Sequence, residues 1–94
     1  MLTIPLSNKN QDLKVVLSSQ VCRIIIYQNS TGMYLDLYVN GILIRESVLC
    51  LNKQPMITES YLGFIGKLMF EDTHGNLDPE ISQLGTRFKL RYLL

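Results

Sequence analysis

The sequence has little charge, and the charge it has is balanced. Charged residues make up 18% of the 94 residues, and nine Lys and Arg against eight Asp and Glu give a formal net charge of +1. An average soluble domain is about 25% charged, and a protein that neutralises the phosphates of a duplex has a basic excess. We therefore expect no dedicated duplex binding. We also expect part of the surface to be covered by other protein in the working state.

Long apolar runs and leader-like patterns are also missing. The run from Ile24 to Tyr27 has four residues and no run is longer, whereas a membrane helix needs about 20 apolar residues. The segment from Met1 to Pro5 lacks the pattern of a secretory signal. The sequence thus predicts neither a membrane span nor secretion.

Cysteine and histidine are scarce. Cys22 and Cys50 are 28 residues apart and His74 is the one histidine, so the ligand spacing of a zinc site is absent. Both cysteines lie in apolar stretches, where a reduced cysteine behaves as a small hydrophobe. We expect two unpaired thiols and a reducing compartment.

Apolar residues, in contrast, make up 47% of the chain, and they occur in short stretches. Apolar and polar positions alternate from Met33 to Val39, and a second apolar segment from Ile42 to Cys50 follows the pair Asn40-Gly41. Asn and Gly tolerate the positive φ that both central positions of a type I′ turn require. These residues predict a β-hairpin with a two-residue turn.

The rest of the chain repeats this arrangement of short strands and polar turns. It predicts an all-β fold in a single domain, residues 1–94, built as a small antiparallel barrel or sandwich of about seven short strands. Of these two architectures we favour the barrel. The remaining predicted segments are strands at Leu2 to Leu6, Leu13 to Leu17, Val21 to Tyr27, Tyr61 to Glu71 and Arg87 to Leu94, a four-residue connection at Asn29 to Gly32, an irregular segment at Leu51 to Ser60, a turn at Thr73 to Asn76 and one helical turn at Pro79 to Leu84.

The loop around His74 is the one place where residues of catalytic type cluster. Acids and amides surround the imidazole, but their spacing does not match a calcium loop. Glu71 and Asp72 are strand neighbours, which point to opposite faces and cannot act as paired carboxylates. We expect no enzyme activity, no metal and no cofactor.

A stripe of tyrosines is the first candidate for a contact surface. Tyr34, Asp36 and Tyr38 occupy alternate positions and therefore one face of a predicted strand. Tyrosine is enriched at interfaces because its ring is apolar and its hydroxyl is polar. The alternative is an ordinary outer sheet face on which the tyrosines lie across their neighbours.

The second candidate is at the end of the chain. Arg87, Lys89 and Arg91 alternate with apolar residues that fill the other face, which leaves Leu93 on the charged side. This stripe is able to contact an acidic partner or nucleic acid. The alternative is the solvated face of a final strand, where basic residues also discourage edge-to-edge pairing.

Three segments together resemble one protein family, the small baseplate plugs of contractile-tailed bacteriophages, typified by a cyanophage plug. The resemblance covers nearly the whole chain in order. The segments are Met1-Leu2-Thr3-Ile4-Pro5-Leu6-Ser7-Asn8, Met33-Tyr34-Leu35-Asp36-Leu37-Tyr38 and Leu84-Gly85-Thr86-Arg87-Phe88-Lys89-Leu90-Arg91-Tyr92.

This resemblance implies a structural protein of the virion, assembled in the host cytoplasm and located in the tail baseplate. Such plugs bridge the tail tube, hub and spike, and we expect several copies to form a ring among these partners. The runner-up hypothesis is a small OB-like barrel that binds single-stranded nucleic acid. It would stack bases on Tyr34 and Tyr38 and hold phosphates with the terminal basic stripe.

Overall fold

Short strands make up most of the chain. The computed structural model describes residues 2–57 and 64–93. The 3₁₀ turn Ile81–Gln83 is the helical turn expected near Pro79. The strands of these residues are β1 Leu2–Ile4, β2 Gln11–Leu17, β3 Gln20–Asn29, β4 Gly32–Val39, β5 Ile42–Leu49, β6 Pro55–Ile57, β7 Lys67–Asp72 and β8 Phe88–Leu93.

The strands form two antiparallel sheets of four. Sheet 1 has the order β1-β8-β7-β6, and sheet 2 is the meander β2-β3-β4-β5. Both sheets contribute side chains to one hydrophobic core, so the arrangement is a sandwich. The all-β prediction is confirmed, and the preference for a barrel is wrong, because no strand of one sheet is hydrogen-bonded to a strand of the other among the described residues.

The core follows from the period of two along each strand. In β4 every second side chain is buried, from Met33 to Val39, and β8 alternates in the same way with Phe88, Leu90 and Tyr92 inward. Cys22 and Cys50 are free and buried, which confirms the expectation of unpaired thiols. Leu94, the last residue of the predicted terminal strand, lies outside the described residues.

Three hairpins of sheet 2 have two-residue turns. Asn40 and Gly41 have φ of 50° and 83°, which confirms the predicted type I′ turn. Ser18 and Ser19 form a similar turn with φ of 50° and 63°, although no glycine marks it. The connection predicted as Asn29 to Gly32 is shorter than expected, because its first and last residues are themselves paired across β3 and β4.

Sheet 1 differs most from the sequence prediction. Strand β6 lies inside the segment predicted to be irregular, and it begins with Pro55, a residue that is tolerated on an edge strand. The strand predicted from Tyr61 to Glu71 begins later, at Lys67; its first residues, 61–63, lie outside the described residues. Gly66 has φ of 102° and a Cβ there would lie 2.6 Å from the ring of Tyr92, so this glycine is required by close packing.

A polar link joins the sheets at one end of the sandwich. The buried side chain of Gln20 accepts a hydrogen bond from Ile65 N–H at 2.9 Å and donates to its carbonyl at 3.1 Å. The Tyr92 hydroxyl donates to the hydroxyl of Ser18 at 3.0 Å and is also within hydrogen-bonding reach of the Ile65 carbonyl. These bonds fix the β2-β3 turn of sheet 2 against the segment that leads into sheet 1.

The type I′ turn generates a stability prediction. Gly41→Val should lower the free energy of unfolding by about 1–2 kcal/mol, because a β-branched residue resists positive φ. No atom lies within 4 Å of a Cβ at this position, so the cost is one of backbone conformation. Gly41→Asn is the matched control, since Asn adopts this φ and should keep most of the stability in urea unfolding. Equal losses in the two variants would contradict the assignment.

Candidate functional site

The tyrosine stripe lies on the outer face of sheet 2. Tyr34, Asp36 and Tyr38 are half-buried and point away from the core along β4. The Tyr34 ring stacks on Tyr27, with centroids 6.0 Å apart. The Asp36 carboxylate accepts a hydrogen bond from Ser47 N–H at 2.7 Å. These contacts hold the three side chains in fixed positions, and we call this outer face of sheet 2 the tyrosine face.

Tyr38 is covered on one side by an arginine. The Arg23 guanidinium carbon lies 5.4 Å from the centroid of the Tyr38 ring. Asp12 holds Arg23 through two nitrogens, at 2.9 Å and 2.6 Å. The hydrogen bond from Arg23 lowers the pKa of the Asp12 carboxyl, so the pair stays charged at neutral pH. A shallow depression of about 600 Å³ opens here, also lined by Lys14 and Val21.

Exposed apolar side chains surround the tyrosines. Leu43 is 43% exposed and lies opposite Tyr38, and Leu49 is 44% exposed and lies opposite Tyr34. Val16 and Val21, a cross-strand pair, are also exposed. Sequence reasoning missed these residues as contact candidates. The signal was the register of the predicted Asn40-Gly41 hairpin, which places Leu43 beside Tyr38.

Arg87 differs from the other residues of the predicted basic stripe. It lies one residue before β8, and its guanidinium forms two hydrogen bonds with the Asp72 carboxylate, at 2.7 Å and 2.8 Å. The backbone N–H groups of His74 and Leu77 also donate to this carboxylate, at 2.9 Å and 2.8 Å. Asp72 has no exposed side-chain surface. Both of its oxygens are therefore saturated, and Arg87 stabilises the loop after β7.

Lys89 and Arg91 do point outward from sheet 1, but their charges are used within the chain. Lys89 donates to the Gly85 carbonyl at 2.5 Å. Arg91 pairs with Glu71 at 3.0 Å and also contacts the hydroxyl of Thr3. Half-buried Leu93 lies beside them. We call this outer side of sheet 1 the β8 face.

The sequence-predicted contact residues therefore occupy two surfaces. Tyr34, Asp36 and Tyr38 share the tyrosine face of sheet 2, and Lys89, Arg91 and Leu93 share the β8 face of sheet 1. In a sandwich the outer faces of the two sheets point in opposite directions. The structure therefore places the aromatic and basic stripes on opposite sides of the sandwich.

The two cysteines and His74 are residue types that often take part in catalysis or metal binding. Burial raises the pKa of the Cys50 thiol to about 12 and also raises that of Cys22, so both are protonated at neutral pH. His74 is exposed in its loop. Within residues 2–57 and 64–93, no cluster of three or more His, Cys, Asp or Glu is arranged to hold a metal ion. In the same residues no helix is long and apolar enough to cross a membrane.

The Asp72–Arg87 pair predicts a pH dependence. The hydrogen bond from Arg87, helped by those from the backbone of Leu77 and His74, holds the pKa of Asp72 well below its usual range. In the unfolded chain an aspartate has a pKa of about 3.9. The unfolded state therefore takes up the proton first, and this stability is present above about pH 5 and is lost as the pH falls toward about 2. Asp72→Asn should be strongly destabilised at pH 7 and should show a flatter acid limb in urea unfolding.

Asp12→Asn is the matched control, because Asp12 also pairs with an arginine but both side chains are nearly half exposed. Water and salt screen an exposed pair, so it contributes little to stability, and this variant should stay close to the parent protein at pH 7. If the two variants lose the same stability, the Asp72 pair is not the acid-sensitive element.

Comparison with known proteins gives a match over the whole length. A search of curated proteins returned no match. A family described as the cyanophage baseplate Pam3 plug gp18 matches residues 1–94, in agreement with the resemblance carried by the Tyr34–Tyr38 strand and the terminal strand. The chain therefore belongs to the family of the cyanophage baseplate Pam3 plug gp18, and its place is the tail baseplate of the virion.

Proposed function

We propose that this plug is a non-catalytic structural subunit that connects the tail tube, hub and spike, with several copies arranged as a ring. The observation that carries the proposal is that the sandwich has two outer faces of different chemistry. A subunit that bridges two neighbours needs two such surfaces, and a sandwich provides them on opposite sides.

The tyrosine face has the composition of an interface core. Tyr34 and Tyr38 are held rigidly by their neighbours, so binding would cost little side-chain entropy. Leu43 and Leu49 extend the apolar area across β5. Aromatic anchors with adjacent aliphatic residues are typical of the residues that dominate binding energy.

The β8 face is suited to a different neighbour. Leu93 is an apolar side chain beside Arg91 and Lys89. These two cations already bind Glu71 and the Gly85 carbonyl. Because these cations are paired, a partner does not have to supply a matching acidic group for each. We propose Leu93 as the central contact of this face, with Lys89 and Arg91 at its rim.

The geometry disfavours the nucleic-acid alternative. Stacking and phosphate binding have to act along one groove, but Tyr34 and Tyr38 lie on sheet 2 and the terminal basic residues belong to sheet 1. Arg87 and Arg91 are each bonded to a carboxylate, which reduces the field available to a phosphate backbone. A non-catalytic role is also supported by the protonated thiols and the saturated carboxylate of Asp72.

An incorporation assay tests the role of the tyrosine face. Leu43→Asp should leave the isolated protein folded, because this side chain is already 43% exposed. Burial of an apolar anchor at an interface contributes about 1–2 kcal/mol, so a charge there should reduce incorporation about tenfold or more. The measurement is the amount of plug in purified tails, after complementation of a phage that lacks its own copy.

Leu77→Asp is the matched control. Leu77 is 55% exposed but belongs to the loop after β7 and not to the outer face of sheet 2, so this variant should incorporate normally. If Leu43→Asp is incorporated as well as the parent protein, the tyrosine face is not a contact surface. If tails assemble completely without the plug, the proposed structural role is wrong.

A further inference from the structure

One sheet edge lacks the features that protect the others. The two sheets have four edge strands among the described residues: β1, β6, β2 and β5. β1 has three residues and is followed by Pro5, and β6 has three residues and begins with Pro55. β5 is interrupted by register shifts and by Ser47 at φ of 54°. Short length, proline and bulges are among the means by which proteins prevent edge pairing, and edge charges are another.

Strand β2 is long, regular and open. Its seven residues, Gln11–Leu17, contain no proline or glycine and pair with β3 without a register shift. Leu17 and Gln20 flank the two-residue turn, so they form the hydrogen-bonded pair that closes the hairpin. Counting back from Leu17, every second residue of β2 points its N–H and C=O groups to β3. The residues between them, Asp12, Lys14 and Val16, point theirs to the open edge.

The charges of this edge can pair with those of a second copy of the same strand. Asp12 and Lys14 are exposed and lie on either side of Leu13. If a second copy of β2 pairs antiparallel about Leu13, Asp12 of each chain lies opposite Lys14 of the other. Centring the pair on Asp12 or on Lys14 would place like charges opposite each other, which is destabilising. Within the described residues Lys14 forms no ion pair. Asp12 is bound to Arg23 but is nearly half exposed, so both charges can meet those of a second copy.

We infer that the free protein forms a twofold dimer in which the β2 strands of two copies pair antiparallel about Leu13. The pairing satisfies the edge groups of Asp12 and Lys14 and joins the two copies of sheet 2 into one continuous sheet. Both tyrosine faces then lie on the same side of this sheet. Such a contact is isologous, whereas a ring requires heterologous contacts. The dimer is thus a form of the unassembled protein and does not depend on the proposed function.

Hydrogen exchange measured by NMR tests the pairing directly. The N–H groups of Asp12 and Lys14 point to the open edge in a monomer and should become protected as the protein concentration rises. Those of Leu13 and Val15 bond to β3 in both states and should be protected at all concentrations. If the amides of Asp12 and Lys14 remain unprotected up to about 1 mM, a range that covers weak contacts of this small size, the inference is overturned.

Charge variants test the register by sedimentation. Lys14→Glu places two acids opposite each other at both symmetric positions and should raise the dimer dissociation constant about tenfold or more. Asp12→Lys should do the same with two cations, whereas an equimolar mixture of the two variants should dimerise again. Lys67→Glu, an equal charge change at the exposed first residue of β7, should have no effect. A dimer that survives Lys14→Glu, or a mixture that stays monomeric, would refute this register.

Discussion

The mutual burial of two sheets is the interaction on which the whole structure depends. Neither sheet has a helix layer beside it in the described residues, so each can bury its apolar face only against the other. The buried residues Ile24, Leu37, Phe70 and Leu90 show this arrangement, since the first two come from sheet 2 and the last two from sheet 1. The outer faces are consequently left to meet solvent or other proteins. The position of the candidate contact surfaces is therefore set by the core.

Several of the few charges in this chain are used in ion pairs within the molecule. Arg87 binds Asp72 and so closes the loop after β7, and Arg91 of β8 binds Glu71 of the neighbouring strand β7. Arg23 covers Tyr38 while bound to Asp12. Because Asp12 neutralises Arg23, the exposed Leu43 and half-buried Tyr38 of sheet 2 lie beside a paired charge. Such a surface can be buried against a neighbour at a small desolvation cost.

Much of the fold could be predicted from local patterns, and the differences have physical causes. Alternation identified the buried faces of β4 and β8, and Asn40-Gly41 identified its turn, because both depend on residues close in sequence. The pairing of Arg87 with Asp72 could not be predicted, since it depends on how the loop between β7 and β8 folds. Strand β6 was missed because three residues starting with a proline carry no periodic signal. The separation of the two contact stripes also required the sheet order, which no local pattern contains.

The central claim is that the two outer faces of the sandwich hold two different neighbours in the baseplate. A reconstruction of the phage tail at side-chain resolution tests it most directly. The account predicts that Tyr38 and Leu43 lie within about 4.5 Å of one neighbouring chain, which is the contact distance of packed side chains. It also predicts that Leu93 lies within the same distance of a different chain. A tail in which both faces are open to solvent, or in which one chain covers both, would contradict it.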